Sequence, residues 1–221
     1  MRTRTANYLD AIAHLPTGGT LILADVSWTE YEQLLTDLSD DYPVRVSYDR
    51  GRLEIMTPSA KREKYKDLIL RLADTAADEL GCDLDSFGST TFKQEQLAKG
   101  AEPDTCFYVQ HAASITGKEQ IDLRTDPPPD VVVEIDVAHG STSKLAIYAS
   151  LGVPELWLYI ERRLQIYHLT EQGYVEAPGS RAFPVLTSDV LSRFLERSKT
   201  EPQRAVLRSF REWLRALRGT C

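Results

Sequence analysis

Hydrophobic and polar residues alternate along the chain with two periods, one of two residues, typical of strands, and one of three to four, typical of helices. The strand signal predicts strands or hairpin arms at residues 20–25, 44–56, 89–96, 104–110, 131–137, 154–160, 163–169 and 173–177. The helical signal predicts helices at residues 27–38, 61–80, 142–151 and 187–218, the last broken at Glu201–Pro202. Because strands and helices are interspersed, we expect an α/β fold in which helices flank a mixed sheet.

The predicted strand at residues 131–137, VVVEIDV, carries two carboxylates among apolar residues. Strand side chains alternate, so Glu134 and Asp136 share one face. Burying an ionised carboxylate costs several kcal/mol unless a partner or a metal ion offsets the loss of water. If the preceding strand pairs with this one, Asp104 converges with Glu134, and such an oxygen-only cluster suits a hard divalent cation such as magnesium. The alternative is a solvated sheet face on which the acids bind nothing.

Lys144 is predicted in the first turn of the helix at 142–151, where the helix macrodipole disfavours a cation. One loop separates it from Glu134, so its ammonium could reach back over the carboxylates. Lys144 is therefore predicted to be either an ion-pair partner or a catalytic group. His139 lies in the same loop and is the one histidine whose sequence position favours a role at this site.

Length and composition are those of a globular protein: 221 residues, 42% hydrophobic and 27% charged, enough for one substantial domain. The sequence has no apolar run long enough to cross a membrane, and its first residues lack the pattern of a secretory signal. Its three cysteines are far apart and never form C-x-x-C, so free thiols and a cytoplasmic location are expected.

The net charge of −7 argues against a non-specific DNA coat protein, yet it allows an enzyme with basic groups around one groove. KREKYK (61–66) could contact a DNA backbone or be a solvated helix end.

In the C-terminal helix one stripe of arginines recurs at helical spacing: Arg204, Arg208, Arg211, Arg215 and Arg218. This stripe could clamp phosphate or dock on an acidic surface, and we expect a homodimer. We therefore predict a domain at 1–198 followed by a basic amphipathic helix at 199–221.

Four stretches together resemble a known family: LEIMTPS, GSTTFKQEQLAKGAEPDTCFYVQ, PPPDVVVEIDVAHGSTSKLAIYASLGVPELWLY and RAFPVL. They are similar to the "putative restriction endonuclease" domain of the Uma-two type, in the PD-(D/E)XK nuclease superfamily, from about Trp28 to about Leu195. The resemblance implies a restriction-endonuclease-like fold, with a mixed central sheet flanked by helices. An N-terminal helix-hairpin extension and C-terminal helices would add to it.

The resemblance also implies a site. Asp104 matches the acid of the PD element, and Glu134 matches the (D/E) position. The usual lysine position holds Asp136, while Lys144, four residues before Tyr148, matches the lysine that this family shifts onto the following helix.

On the first long helix, Arg62 stands where related sequences often carry a histidine, and the adjacent Glu63 could face a metal ion. By this resemblance, Asp104 and Glu134 with the Ile135 carbonyl would hold one or two magnesium or manganese ions. Lys144 would orient the attacking water.

The leading hypothesis is a metal-dependent endonuclease that hydrolyses phosphodiester bonds of DNA. The alternative is a catalytically weak or inactive relative that works as a binding or regulatory module, and the residues at positions 62 and 136 favour it.

Overall fold

The structure is a computed structural model that describes residues 4–38, 42–136 and 142–218. Within them the helices are α1 Arg4–Ala13, α2 Trp28–Asp37, α3 Ala60–Leu80, α4 Ala112–Ile115, α5 Thr142–Ser150, α6 Ser188–Arg197 and α7 Gln203–Arg218. The strands are β1 Thr20–Leu23, β2 Arg45–Asp49, β3 Arg52–Met56, β4 Asp85–Ser86, β5 Phe92–Gln94, β6 Lys99–Ala101, β7 Thr105–Tyr108, β8 Val131–Asp136, β9 Glu155–Ile160, β10 Arg163–Thr170 and β11 Gly173–Ala177. None of these helices is both long and apolar enough to cross a membrane.

The described strands form two sheets rather than the single central sheet that the sequence suggested. The first sheet has the order β1-β3-β2-β6-β5, and the second has the order β11-β10-β9-β8-β7-β4. In the second sheet β8 runs parallel to β9, while its other neighbour, β7, is antiparallel. The expected class, a mixed α/β fold flanked by helices, is confirmed.

Local signals explain the N-terminal elements. The Ser27 side chain caps α2 by accepting the Glu30 backbone N–H, and the Glu30 carboxylate in turn accepts the Ser27 backbone N–H. The β2–β3 hairpin turns through Arg50 and Gly51, both with positive φ (49° and 93°), which is the geometry that tight hairpin turns need. The predicted helix-hairpin extension is therefore present, together with α1, which the sequence pattern did not predict.

One predicted strand was too long. Residues 89–96 were expected to be extended throughout, but only Phe92–Gln94 pairs in the sheet, and Glu95–Leu97 forms a turn of 3₁₀ helix. The chain then returns as the short strand β6, which leads directly to β7 in the other sheet. This connection carries residues 102–104 from one sheet to the other.

The two faces of β8 belong to different hydrophobic clusters. Val131, Val133 and Ile135 pack with α3, α6 and α7 in the main core. Val132 faces the other way and packs with Ile147 and Tyr148 of α5. The alternation expected from the sequence is correct, and it places Glu134 on the α5 side of the sheet.

Helix α7 packs on α3 through its apolar stripe, which joins the main core through Val206, Phe210 and Leu214. Part of its arginine stripe pairs with acids of α3: Arg211 Nη2 lies 3.3 Å from Asp78 Oδ2, and Arg215 Nη2 lies 2.9 Å from Glu79 Oε1. The side chain of Arg218 lies outside what the structure describes. The domain boundary at residue 198 and the homodimer stay predictions.

Candidate active site

The pairing of β7 with β8 brings two carboxylates together. Thr105 lies opposite Val133, so Asp104, just before β7, lies beside Glu134. Both side chains are removed from water, with relative exposures of 0% and 2%. Two buried acids side by side require positive partners, because each would otherwise disfavour ionisation of the other.

The first positive partner is Arg62, in the first turn of α3. Its Nη1 donates to Asp104 Oδ2 at 2.8 Å and lies 4.0 Å from Glu134 Oε2. The helix start is fixed independently, because the Ser59 side chain accepts a hydrogen bond from the Arg62 backbone N–H. One guanidinium nitrogen thus faces both acids.

The second positive partner is Lys144, in the first turn of α5. Its ammonium donates to Glu134 Oε1 at 3.1 Å and Oε2 at 3.3 Å, and to the backbone carbonyl of Glu102 at 3.2 Å. Lys144 is 6% exposed, so this ion pair is buried. The sequence-based expectation that Lys144 reaches back to Glu134 agrees with this placement.

Glu134 also accepts a short hydrogen bond from Tyr148, whose hydroxyl lies 2.6 Å from Oε1. Burial is the main cause that raises the pKa of Glu134, and the charge of Asp104 raises it further, whereas Lys144, Tyr148 and Arg62 lower it. Burial, followed by the charge of Glu134, raises the pKa of Tyr148 well above its usual value. The phenol therefore keeps its proton and acts as a donor.

Asp104 has one oxygen bound and one oxygen without a partner. Oδ2 accepts the Ile135 backbone N–H at 2.7 Å in addition to the Arg62 bond. Oδ1 is buried and accepts no hydrogen bond from the described residues. A buried carboxylate oxygen without a partner is costly in a protein interior, and it is the kind of atom that a cation would satisfy.

The structure does not bring every expected residue to this cluster. Glu63 points elsewhere: it pairs with Lys66, and its Oε1 lies 3.7 Å from Arg45 Nη2. Asp136 ends β8 opposite Ile160, and its side chain is not described. His139 lies outside the described residues. In the described part of the chain, no three Asp, Glu, His or Cys side chains group into a metal site.

The sequence pattern did not single out Glu102, which lies two residues before Asp104. Its backbone carbonyl binds Lys144, while its carboxylate accepts the Val46 backbone N–H at 3.0 Å and the Thr91 hydroxyl at 2.7 Å. Burial raises the pKa of Glu102. The signal was present in the sequence as Glu-Pro-Asp, an acid beside the expected metal ligand.

The fold and site together define a mixed α/β protein in which two buried acids meet an arginine and a lysine from two helix N-termini. Residues 28–197 match the family described as "Uma2: Putative restriction endonuclease", so the chain belongs to that family. Its fold is similar to that of a "putative nuclease belonging to DUF820" from Anabaena variabilis, known from a crystal structure. The TM-score is 0.52 at 15% sequence identity, over 74% of this chain and 97% of that one. No curated protein matches the chain. Family membership supports a nuclease function.

Proposed function

We propose that this protein is a metal-dependent endonuclease that hydrolyses phosphodiester bonds of DNA at a PD-(D/E)XK-type site. The observation that carries the proposal is the convergence of Asp104, Glu134 and Lys144 from three separate elements into one buried cluster. A cluster built only for stability gains little from such burial, since buried ion pairs often stabilise a fold no better than apolar residues of similar size.

The donor atoms suit magnesium or manganese. Asp104 and Glu134 supply hard carboxylate oxygens, and Asp104 Oδ1 has no other partner among the described residues. Magnesium commonly binds through one or two carboxylates and keeps several waters, so a third acidic side chain is not required. The Ile135 carbonyl stays our candidate for a further ligand. Glu63 would have to leave Lys66 to take part, and Asp136 and His139 stay untested candidates because the structure does not describe their side chains.

The chain's own residues would divide the work. Asp104 and Glu134 would hold the metal ion, which would polarise a phosphate and lower the pKa of a bound water. Tyr148 fixes the rotamer of Glu134 through its hydrogen bond. The Lys144 ammonium donates a hydrogen bond to the Glu134 carboxylate. From this position it would orient the attacking water and stabilise the charge that develops on phosphate oxygens.

A second candidate function is a binding or regulatory module without catalysis. The observation that favours it is the charge balance of the cluster, in which Arg62 and Lys144 already offset Asp104 and Glu134. In that case the protein would bind DNA without cutting it.

Supercoiled plasmid incubated with magnesium, manganese or EDTA separates the two functions. We expect wild-type protein to nick or linearise the plasmid with either metal ion and not with EDTA, and the Glu134→Ala protein to leave it intact. Equal cleavage by the two proteins would refute the proposed site. Binding of the plasmid without cleavage by the wild type would favour the module.

A further inference from the structure

Arg62 places a cationic side chain in the first turn of α3, where a positive charge does not stabilise the helix. The first turn of an α-helix carries the positive end of the macrodipole, and a cation there is disfavoured. Ser59 already caps α3 by accepting the Arg62 backbone N–H, so the helix end does not use the Arg62 side chain. Its guanidinium is instead directed into the acid cluster, where it is only 9% exposed and donates to Asp104 at 2.8 Å.

The Arg62 guanidinium faces both acids, while Asp104 Oδ1 stays without a partner among the described residues. One nitrogen lies near Asp104 Oδ2 and Glu134 Oε2, the two carboxylates that the proposed function assigns to the metal. Lys144 approaches Glu134 as well, so the four side chains carry two negative and two positive charges. A divalent cation added to this arrangement would give a buried excess of positive charge, which a low-dielectric interior strongly disfavours.

We propose that the Arg62 guanidinium fills the cation position between Asp104 and Glu134, and that a divalent cation binds there only by displacing it. This inference rests on the proposed function for the identity of the metal ligands. The displaced guanidinium remains close to the site and is a suitable partner for a DNA phosphate. Arg62 is thus a positioning residue that makes metal loading depend on the nucleic acid.

Two thermodynamic consequences follow. Without DNA, the wild-type protein binds divalent cations weakly, because each binding event must break the Arg62–Asp104 ion pair. With DNA, a phosphate offers the guanidinium another partner, so DNA and metal strengthen the binding of each other by the same factor. Both effects should shrink when position 62 cannot carry charge.

The first test is calorimetric titration of calcium into DNA-free protein, with the melting temperature recorded at each calcium concentration. We expect Arg62→Gln to bind calcium at least tenfold more tightly than wild type. Arg45→Gln is the matched control: it removes the same charge beside the start of α3, from an arginine that lies 3.7 Å from Glu63. It should resemble wild type. Equal or weaker calcium binding by Arg62→Gln would overturn the inference.

The Arg62→Gln protein leaves two buried acids without their bridge, so it could fold only when calcium is present. That result would support the inference, since the cation would have replaced the guanidinium. Failure to fold at every calcium concentration, while Arg45→Gln folds normally, would show that a cation cannot take the place of Arg62 and would overturn it.

The second test adds a short DNA duplex to the calcium titration. In wild type the duplex should lower the calcium dissociation constant several-fold more than it does in Arg62→Gln, and equal effects would contradict the inference. Cleavage assays in magnesium keep this question apart from the proposed function. If Arg62→Gln binds calcium more tightly but neither it nor the wild type cleaves DNA, the proposed nuclease function would be refuted. If the wild type cleaves DNA but Arg62→Gln binds calcium no more tightly, only the role of Arg62 would be refuted.

Discussion

Replacement of Lys144 by methionine separates a structural role of this lysine from a catalytic one. Methionine keeps most of the apolar stem but removes the ammonium, which donates to both oxygens of Glu134 and to the Glu102 carbonyl. Breaking a buried ion pair by removing one partner costs about 3–5 kcal/mol of unfolding free energy. We expect Lys144→Met to lose somewhat less than this, because burial already raises the pKa of Glu134, which can take up a proton instead.

Lys99→Met provides the matched control. Lys99 is 5% exposed, and it also contacts α5, where its ammonium donates to the Ala146 carbonyl at 3.1 Å. Its acidic neighbour is Asp49, 3.7 Å away and partly exposed. The loss of stability should be about 1.5–3 kcal/mol, typical of one hydrogen bond made by a charged group, and the Ala146 carbonyl still accepts the Ser150 hydroxyl at 2.8 Å.

The assay is single-turnover cleavage of a duplex at saturating protein and magnesium, at a temperature at which all three proteins are folded. If Lys144 stabilises the transition state, Lys144→Met should raise the barrier by about 2–4 kcal/mol, on the order of a hundredfold in rate. Calcium binding should be retained or become tighter. Lys99→Met should cleave at the wild-type rate. Equal rates for the two variants would refute a catalytic role for Lys144.

Three further perturbations concern Tyr148, the protonation of Glu134 and the basic start of α3. Tyr148→Phe removes the 2.6 Å bond to Glu134 and should lower the unfolding free energy by about 1.5–3 kcal/mol; an unchanged melting temperature would contradict the bond. Since the pKa of Glu134 is raised above 4.5, the folded state binds more protons than the unfolded state. The unfolding free energy should therefore fall as pH rises from about 4.5 toward the folded-state value. Urea titrations at several pH values should show this fall in wild type and less of it in Glu134→Gln. If the difference in unfolding free energy between the two proteins did not change with pH, the prediction would be wrong. Lys61 and Lys64 lie at the start of α3, where Lys61 is exposed and Lys64 is partly exposed. Replacing both by alanine should reduce the slope of log affinity for DNA against log salt concentration by about 1 for each phosphate that is no longer neutralised. An unchanged slope would show that DNA does not contact the start of α3.

The sequence predicted what depends on local periodicity. Alternation in β8 placed Glu134 opposite the main core, and helical spacing with a glycine stop placed Lys144 at the start of α5. Both are short-range properties of the chain, and the two residues are 10 positions apart. The pairing of β7 with β8 was only a condition at the level of the sequence, and the structure shows that the two strands do pair.

The sequence could not show which residue of α3 reaches the acids. Adjacent residues on a helix point about 100° apart, so the orientation of α3 on the sheet decides between Arg62 and Glu63. That orientation comes from packing between residues distant in sequence. The separation into two sheets was hidden for a similar reason, because β6 has only three residues and carries little periodicity.

Cleavage by proteins altered at the two acids tests the central claim, that the buried acids of β8 and its neighbour form a nuclease centre. Asp104→Asn and Glu134→Gln keep the size of each side chain and remove its charge. With manganese and a duplex substrate, we expect the wild type to cut and each variant to lose at least about two orders of magnitude in rate while it still binds the duplex. Either variant cutting at the wild-type rate would contradict the claim.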